Sequence, residues 1–211
     1  MREIAIALFE QVTALDAIGP YEVLQRLPDV EVRFVGHRKG EVRTDNGFLG
    51  LMVDCSFEEA SNPDVLLIPG GIGTRALVND VMMLNWIRTA HDTSEFTTSV
   101  CTGSLLLAAA GVLDGLRATT HFSARQLLAK YGAEPCEDRV VVEGKVITAA
   151  GVSSGIDMAL QLAERIADAT TAKAIQLMIE YDPQPPHDAG SLHKVDATVL
   201  ARVRELAQHK N

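Results

Sequence analysis

Hydrophobic positions along this chain fall into two kinds of segment, and the kinds alternate. The first kind is a short unbroken apolar run. Residues 3–9 (EIAIALF), 65–68 and 146–149 come nearest to this character, and they read as strands together with 30–36 (VEVRFVG) and 96–100 (FTTSV), which mix apolar with charged or hydroxyl residues. The second kind is a longer stripe at helical spacing. Residues 15–27 place Leu15, Ile18, Val23, Leu24 and Leu27 roughly on one face. Helices are likewise expected over 81–93, 105–110, 154–167, 170–181 and 197–208. Gly19-Pro20 fits a helix opening better than a helix interior, because proline lacks the donor an interior position needs. Asp45-Asn46-Gly47 between two short runs signals a hairpin. Gly111 is placed to end the helix over 105–110, and further strands are expected over 117–120 and 140–142. Strands alternating with helices imply an α/β fold, with a mostly parallel sheet covered by helices on both faces.

A chain of 211 residues suits one domain, here an α/β body over 1–186 with residues 187–211 as its C-terminal helical extension. Prolines 183, 185 and 186 separate the two. The net charge of −9 argues against nucleic acid as a partner, since a phosphate-binding surface needs a basic patch. No apolar run reaches the ~20 residues of a membrane span, and the short run after Met1 is too brief for a signal peptide. A cytoplasmic protein with no membrane association is therefore expected. Cys55, Cys101 and Cys136 form neither a CxxC pair nor a metal-ligand spacing, so free thiols and no metal are expected.

One thiol stands apart. Cys101 lies between the β-run 96–100 and the apolar helix 105–110, with Gly103 and Ser104 small enough for a tight turn. A residue on such a turn projects from the C-terminal edge of the sheet, where open α/β sheets bind ligands. The adjacent helix N-terminus is expected to favour the thiolate and lower its pKa. Taken alone, a cytosolic cysteine is more often an inert apolar residue; the strand–Cys–Gly–helix context favours the nucleophile. Cys55 and Cys136 lack that context and read as inert.

Three further segments end or follow strands. Pro69-Gly70-Gly71-Ile72-Gly73 can turn backbone N–H groups toward a pocket, as an oxyanion hole requires, and no Gly-Lys-Ser/Thr follows to make it a phosphate loop. Asp16 opens an otherwise apolar helix. It reads either as a helix-terminal carboxylate or as an acid facing the thiol, where a second acidic group would raise one pKa. His121, after Ala118-Thr119-Thr120, is either a base for Cys101 or a residue that lines the pocket. His37, His91, His187, His193 and His209 read as loop or surface residues.

Leu15-Asp16-Ala17-Ile18-Gly19-Pro20, Ile68-Pro69-Gly70-Gly71, Ser99-Val100-Cys101-Thr102-Gly103 and Ala118-Thr119-Thr120-His121 together resemble the ThiJ/PfpI superfamily, in order and spacing across almost the whole chain. That resemblance implies the flavodoxin-like three-layer sandwich shared with class I glutamine amidotransferases. Asp16 where another branch carries Glu, Thr102 where the intracellular proteases carry His, and the stretches 117–121, 151–157 and 179–186 resemble the isocyanide hydratase branch. Ala149-Ala150-Gly151 departs from it, since that branch is richer in glycine there. The chain ends at Asn211, before the helix-turn-helix module that regulators of the superfamily carry. The resemblance implies hydration of R–NC to an N-substituted formamide, with Cys101 as nucleophile and Asp16 as general acid and base. It implies Gly71 and Thr102 as positioning or oxyanion groups, and His121, Gly70 and Val152 as pocket support. It also implies a small-molecule substrate, no cofactor, and a homodimer. Rival expectations are glyoxalase or amidase chemistry by the same thiol, a redox-sensing or chaperone-like stress protein, and a domain that only binds ligand.

Overall fold

A computed structural model describes residues 1–208 and contains two compact units, Met1–Ile179 and the segment from Glu180 onward. His209 and the last two residues lie outside the described part. In the first unit the strands are β1 (Arg2–Ala7), β2 (Val30–Gly36), β3 (Gly40–Arg43), β4 (Gly50–Val53), β5 (Cys55–Ser56), β6 (Val65–Ile68), β7 (Phe96–Val100), β8 (Arg117–Ala118), β9 (Glu134–Pro135), β10 (Val140–Glu143) and β11 (Val146–Ala149). The helices are α1 (Ala14–Leu24), α2 (Thr74–Leu77), α3 (Val81–Thr93), α4 (Gly103–Ala109), α5 (Arg125–Lys130), α6 (Ser154–Ile166) and α7 (Ala169–Met178). In the second unit, Asp196 caps α8 (Ala197–Gln208) by accepting from the N–H groups of Thr198 and Val199.

The main sheet runs β10-β11-β7-β6-β1-β2-β5. Every pairing is parallel except the β10–β11 hairpin at one edge. The unbroken apolar runs form its centre: all four residues of β6 and the last four of β1 are buried. Strands covered on both faces must be apolar at every position, which is why these runs do not alternate. On one side α1, α6 and α7 pack together; on the other α3 and α4 do, with α2 and α5 against α4. The result is the covered, mostly parallel sheet that the alternation of segments implies, in the flavodoxin-like form that the family resemblance implies. No helix among the described residues is long and apolar enough to cross a membrane.

The topology fixes where chemistry belongs. From β1 the chain moves to β2 on one side, then returns through β6 to β1's other side and on to β7. Order reverses at β1/β6, and the C-terminal edge of such a switch point is where open α/β sheets leave a crevice. Register brings Ile68 opposite Ser99 and Val100 opposite Ala149, so the segments after β6, β7 and β11 emerge side by side.

Several local expectations are corrected. Gly19-Pro20 lies inside α1 and does not open it. Their small surfaces let α1 approach α6: a Cβ on Gly19 would sit 3.1 Å from Ile156, and one on Gly155 would sit 3.2 Å from Pro20. The strand expected over 117–120 stops at Ala118, leaving Thr119 and Thr120 free for side-chain work. The helix expected to reach 181 ends at Met178, and Glu180 has φ 48. His91 is no loop residue. It sits in the last turn of α3 with Nδ1 2.9 Å from Thr97 Oγ1, and burial, then the Lys145 charge, push its pKa down. The Asp45-Asn46-Gly47 hairpin joins β3 and β4 as expected, with Gly47 at φ 74.

Candidate functional site

Cys101 is the first residue beyond β7, and it has φ 56. A left-handed conformation at a non-glycine residue costs about 1–2 kcal/mol, so the surroundings must hold it. They do so through both peptide groups. The Cys101 N–H donates to the carbonyls of Ala149 and Ala150 at 3.1 and 2.7 Å. Its carbonyl accepts from Thr120 Oγ1 at 2.9 Å and Ser104 Oγ at 3.2 Å. This is why Thr120 must leave the strand: its hydroxyl clamps the elbow. Cys101 is 5% exposed, so only a slender group can reach its sulfur.

Asp16, on the first turn of α1, is fully buried, and its carboxyl group interacts with the Cys101 thiol. The N–H of Gly70 donates to Asp16 Oδ2 at 2.9 Å, whereas Oδ1 is buried without a geometric hydrogen-bond partner. The segment before α1 is tied to the glycine loop, with the Thr13 N–H on the Gly70 carbonyl at 2.9 Å. Gly70 has no alternative here. A Cβ would lie 2.5 Å from the Thr102 nitrogen and 2.8 Å from Asp16 Oδ2.

Gly71 N–H, expected to face developing negative charge, donates instead to Thr102 Oγ1 at 3.0 Å. Thr74 Oγ1 lies 3.1 Å from the same hydroxyl. Thus the glycine loop positions Asp16 and Thr102, and its two N–H groups are engaged within the protein. The donors that face the sulfur are the backbone N–H groups of Thr102 and Val152. Val152, at φ 26, precedes α6 on the segment after β11.

Electrostatics correct one expectation outright. Burial, followed by the neighbouring Asp16 charge, pushes the Cys101 thiol up to about 12. The Val152 and Thr102 N–H groups oppose this but do not overcome it. A helix start favours a thiolate when the sulfur is exposed to solvent; this sulfur is buried and has an acid beside it. Burial likewise raises Asp16 to about 7, against the lowering effects of the Gly70 and Cys101 hydrogen bonds. Near neutral pH the two groups together hold between one and two protons.

His121 stands beside Gly151 of the segment after β11. Its Nδ1 is 2.8 Å from Ser123 Oγ, its ring packs on Phe122 at 4.4 Å, and Cδ2 would lie 2.9 Å from a Cβ on Gly151. Burial first, then Arg75 and Arg125, lower its pKa and keep the ring neutral. Cys101, Asp16, Gly70, Gly71, Thr102 and Val152 are therefore brought together, with His121 beside Gly151. Thr120, Ser104 and Thr74 were not singled out from sequence. Their only sequence signal is hydroxyl type beside a motif, which does not reveal which carbonyl each will reach. Among the described residues no group of three or more His, Cys, Asp or Glu side chains could hold a metal ion.

The surrounding chain has relatives. Isonitrile hydratase of Pseudomonas putida is 43% identical over 205 residues, covering 97% of this chain and 90% of the relative. A glutathione-independent glyoxalase of Caenorhabditis elegans, DJR-1.2, is 24% identical over 159 residues, covering 74% of this chain and 84% of that one. A crystal structure of a ThiJ/PfpI family protein from Pseudomonas syringae superposes with a TM-score of 0.94 at 37% identity, covering 99% of this chain and 86% of that one. The model of the DJ-1/PfpI family matches residues 2–165, the segment that carries the sheet and the whole Cys101 pocket, and this chain belongs to that family.

Proposed function

We propose that this protein hydrates isocyanides to N-substituted formamides, with Cys101 as nucleophile and Asp16 as the proton carrier. The observation that carries the reading is the buried Asp16–Cys101 pair, with one carboxyl oxygen fixed by Gly70 and the other lacking a partner. The 43% identity to an isonitrile hydratase supports it.

The chemistry follows from a pair that carries one proton. Asp16 accepts the thiol proton as sulfur attacks the terminal carbon of R–NC, then delivers that proton to the same carbon. The product is a thioimidate, R–N=CH–S–Cys101. Water adds at carbon while its proton passes through Asp16 to nitrogen, giving R–NH–CH(OH)–S–Cys101. Collapse breaks the C–S bond, releases R–NH–CHO, and returns the hydroxyl proton to the pair. The sum is R–NC plus water. The N–H groups of Thr102 and Val152 stabilise negative charge on sulfur at the attack and departure steps. An isocyanide presents a linear head one atom wide, which suits a cysteine that is only 5% exposed.

The same pocket weakens the redox reading. Sensor cysteines are exposed thiolates, and this one is buried and held protonated. The test is turnover of cyclohexyl isocyanide with formamide followed by chromatography, and methylglyoxal run in parallel. We expect formamide from the parent, none from Cys101→Ala, and near-parent rates from Cys55→Ser. Failure of several isocyanides, or methylglyoxal turnover alone, sinks the proposal. The protein is further proposed to act as a homodimer, as the family resemblance implies; a monomer mass by light scattering removes that part.

A further inference from the structure

A second concavity opens at the C-terminal edge of the sheet, beyond β1 and β2 and separate from the Cys101 pocket. It encloses about 270 Å³, which is smaller than a drug-sized site and suits a fragment of about ten non-hydrogen atoms. Its floor is apolar: Phe9, Val42, Val53 and Leu77. Its rim is the basic run His37-Arg38-Lys39 after β2, faced by Glu10 and Glu41.

Most of these charges are already satisfied. His37 Nε2 is 3.1 Å from Asp80 Oδ1, and Lys39 Nζ is 2.6 Å from Glu59 Oε1. Glu41 pairs with Arg43 at 2.5 Å, and Glu10 accepts the Arg43 N–H at 3.0 Å. Arg38, exposed on the rim, is the exception: among the described residues its guanidinium has no hydrogen-bond or ion-pair partner. The cleft therefore offers one uncommitted fork of donors above an apolar floor.

We propose that this cleft is a second ligand site, for a small monocarboxylate with a short hydrocarbon body. The carboxylate takes the bidentate geometry that a guanidinium favours, and the tail covers Phe9, Val42 and Leu77. One free cation, with Glu10 and Glu41 on the wall, suits a single negative charge and disfavours a phosphate dianion. The site does not use Cys101 or Asp16, so it stands apart from the hydratase reading.

The probe is hexanoate, titrated into the full chain by calorimetry, with hexylammonium and inorganic phosphate as controls. A ligand of about eight non-hydrogen atoms should bind with Kd on the order of 0.1–1 mM. Arg38→Glu should weaken it at least about tenfold, Arg38→Gln by less, and Leu77→Trp should block the tail. Cys101→Ala should bind as the parent does. Absence of saturable binding overturns the proposal, as does unchanged affinity in Arg38→Glu, equal binding of hexylammonium or phosphate, or loss of binding in Cys101→Ala.

Discussion

Replacing Asp16 by Asn should abolish turnover and, as pH rises, make the protein progressively more stable relative to the parent. Asp16 is buried with its pKa raised from 3.8 to about 7, so the folded state binds its proton more tightly than the unfolded chain does. A raised folded pKa contributes stability that is fully present below the unfolded pKa and is lost as pH climbs through the folded one. The distance from 3.8 to about 7 corresponds to about 4 kcal/mol at full ionisation. Between pH 5 and pH 8 the same linkage removes on the order of 2–3 kcal/mol from the parent. Cys101 stays protonated across this window and adds nothing. Asn keeps an oxygen for the Gly70 N–H but brings an amide to the place of the orphan Oδ1, at a cost that does not vary with pH. The measurement is urea unfolding of parent and Asp16→Asn at pH 5, 6, 7 and 8. Titrations elsewhere in the chain are common to both and cancel. A stability gap that stays flat within about 0.5 kcal/mol over that range would refute the burial argument and the proton carrier built on it.

Three other outcomes follow from the same geometry. The rate constant kcat/KM for an isocyanide should rise with pH through about 7, as Asp16 ionises and the pair reaches its one-proton state; a profile flat from pH 5.5 to 8.5 contradicts the relay. Because Cys101 has φ 56, Cys101→Gly should unfold at higher urea than Cys101→Ala, by about 1 kcal/mol if the strain of a left-handed Cβ is real. His121→Ala should retain activity within about tenfold, since the ring is neutral and bonded to Ser123; a loss of a thousandfold or more would make it a base.

Much of this fold is legible from hydrophobic pattern because its central strands are buried on both faces. The run 65–68 lies between Pro63 and Pro69-Gly70 and is too short for a helix, the run 96–100 is rich in β-formers, and the structure places β6 and β7 on those residues. Pattern fails where tertiary contact overrides local preference. Pro20 sits inside α1 because contact with α6 rewards its small shape, and nothing within residues 15–27 reports that. The short ladder of β8 with β9 escapes for the same reason, being two residues on each side. The site shows the same division. The positions of Cys101, Asp16 and Gly70 could be read because each follows a strand. Their electrostatics could not, because a pKa depends on how much water is excluded, and exclusion is the joint work of segments far apart in sequence.

That dependence also reverses the role first assigned to the helix start. A cysteine at a helix N-terminus in water is poised as a thiolate, and a catalyst built that way needs no neighbouring acid. Here burial makes the thiolate unfavourable at rest and makes a protonated Asp16 accessible near neutral pH. Each group's burial supplies what the other lacks, since the carboxylate can take the thiol proton and then has a proton to give. An electrophile whose attacked carbon must also be protonated draws on both properties in succession. An ester or peptide carbonyl carbon is attacked but never protonated, and a wet thiolate with a histidine serves it better. The neutral His121 bonded to Ser123, and the carboxyl group within reach of the thiol, are the arrangement that the proposed addition of water to a carbon that gains hydrogen calls for, and acyl transfer would call for a different one.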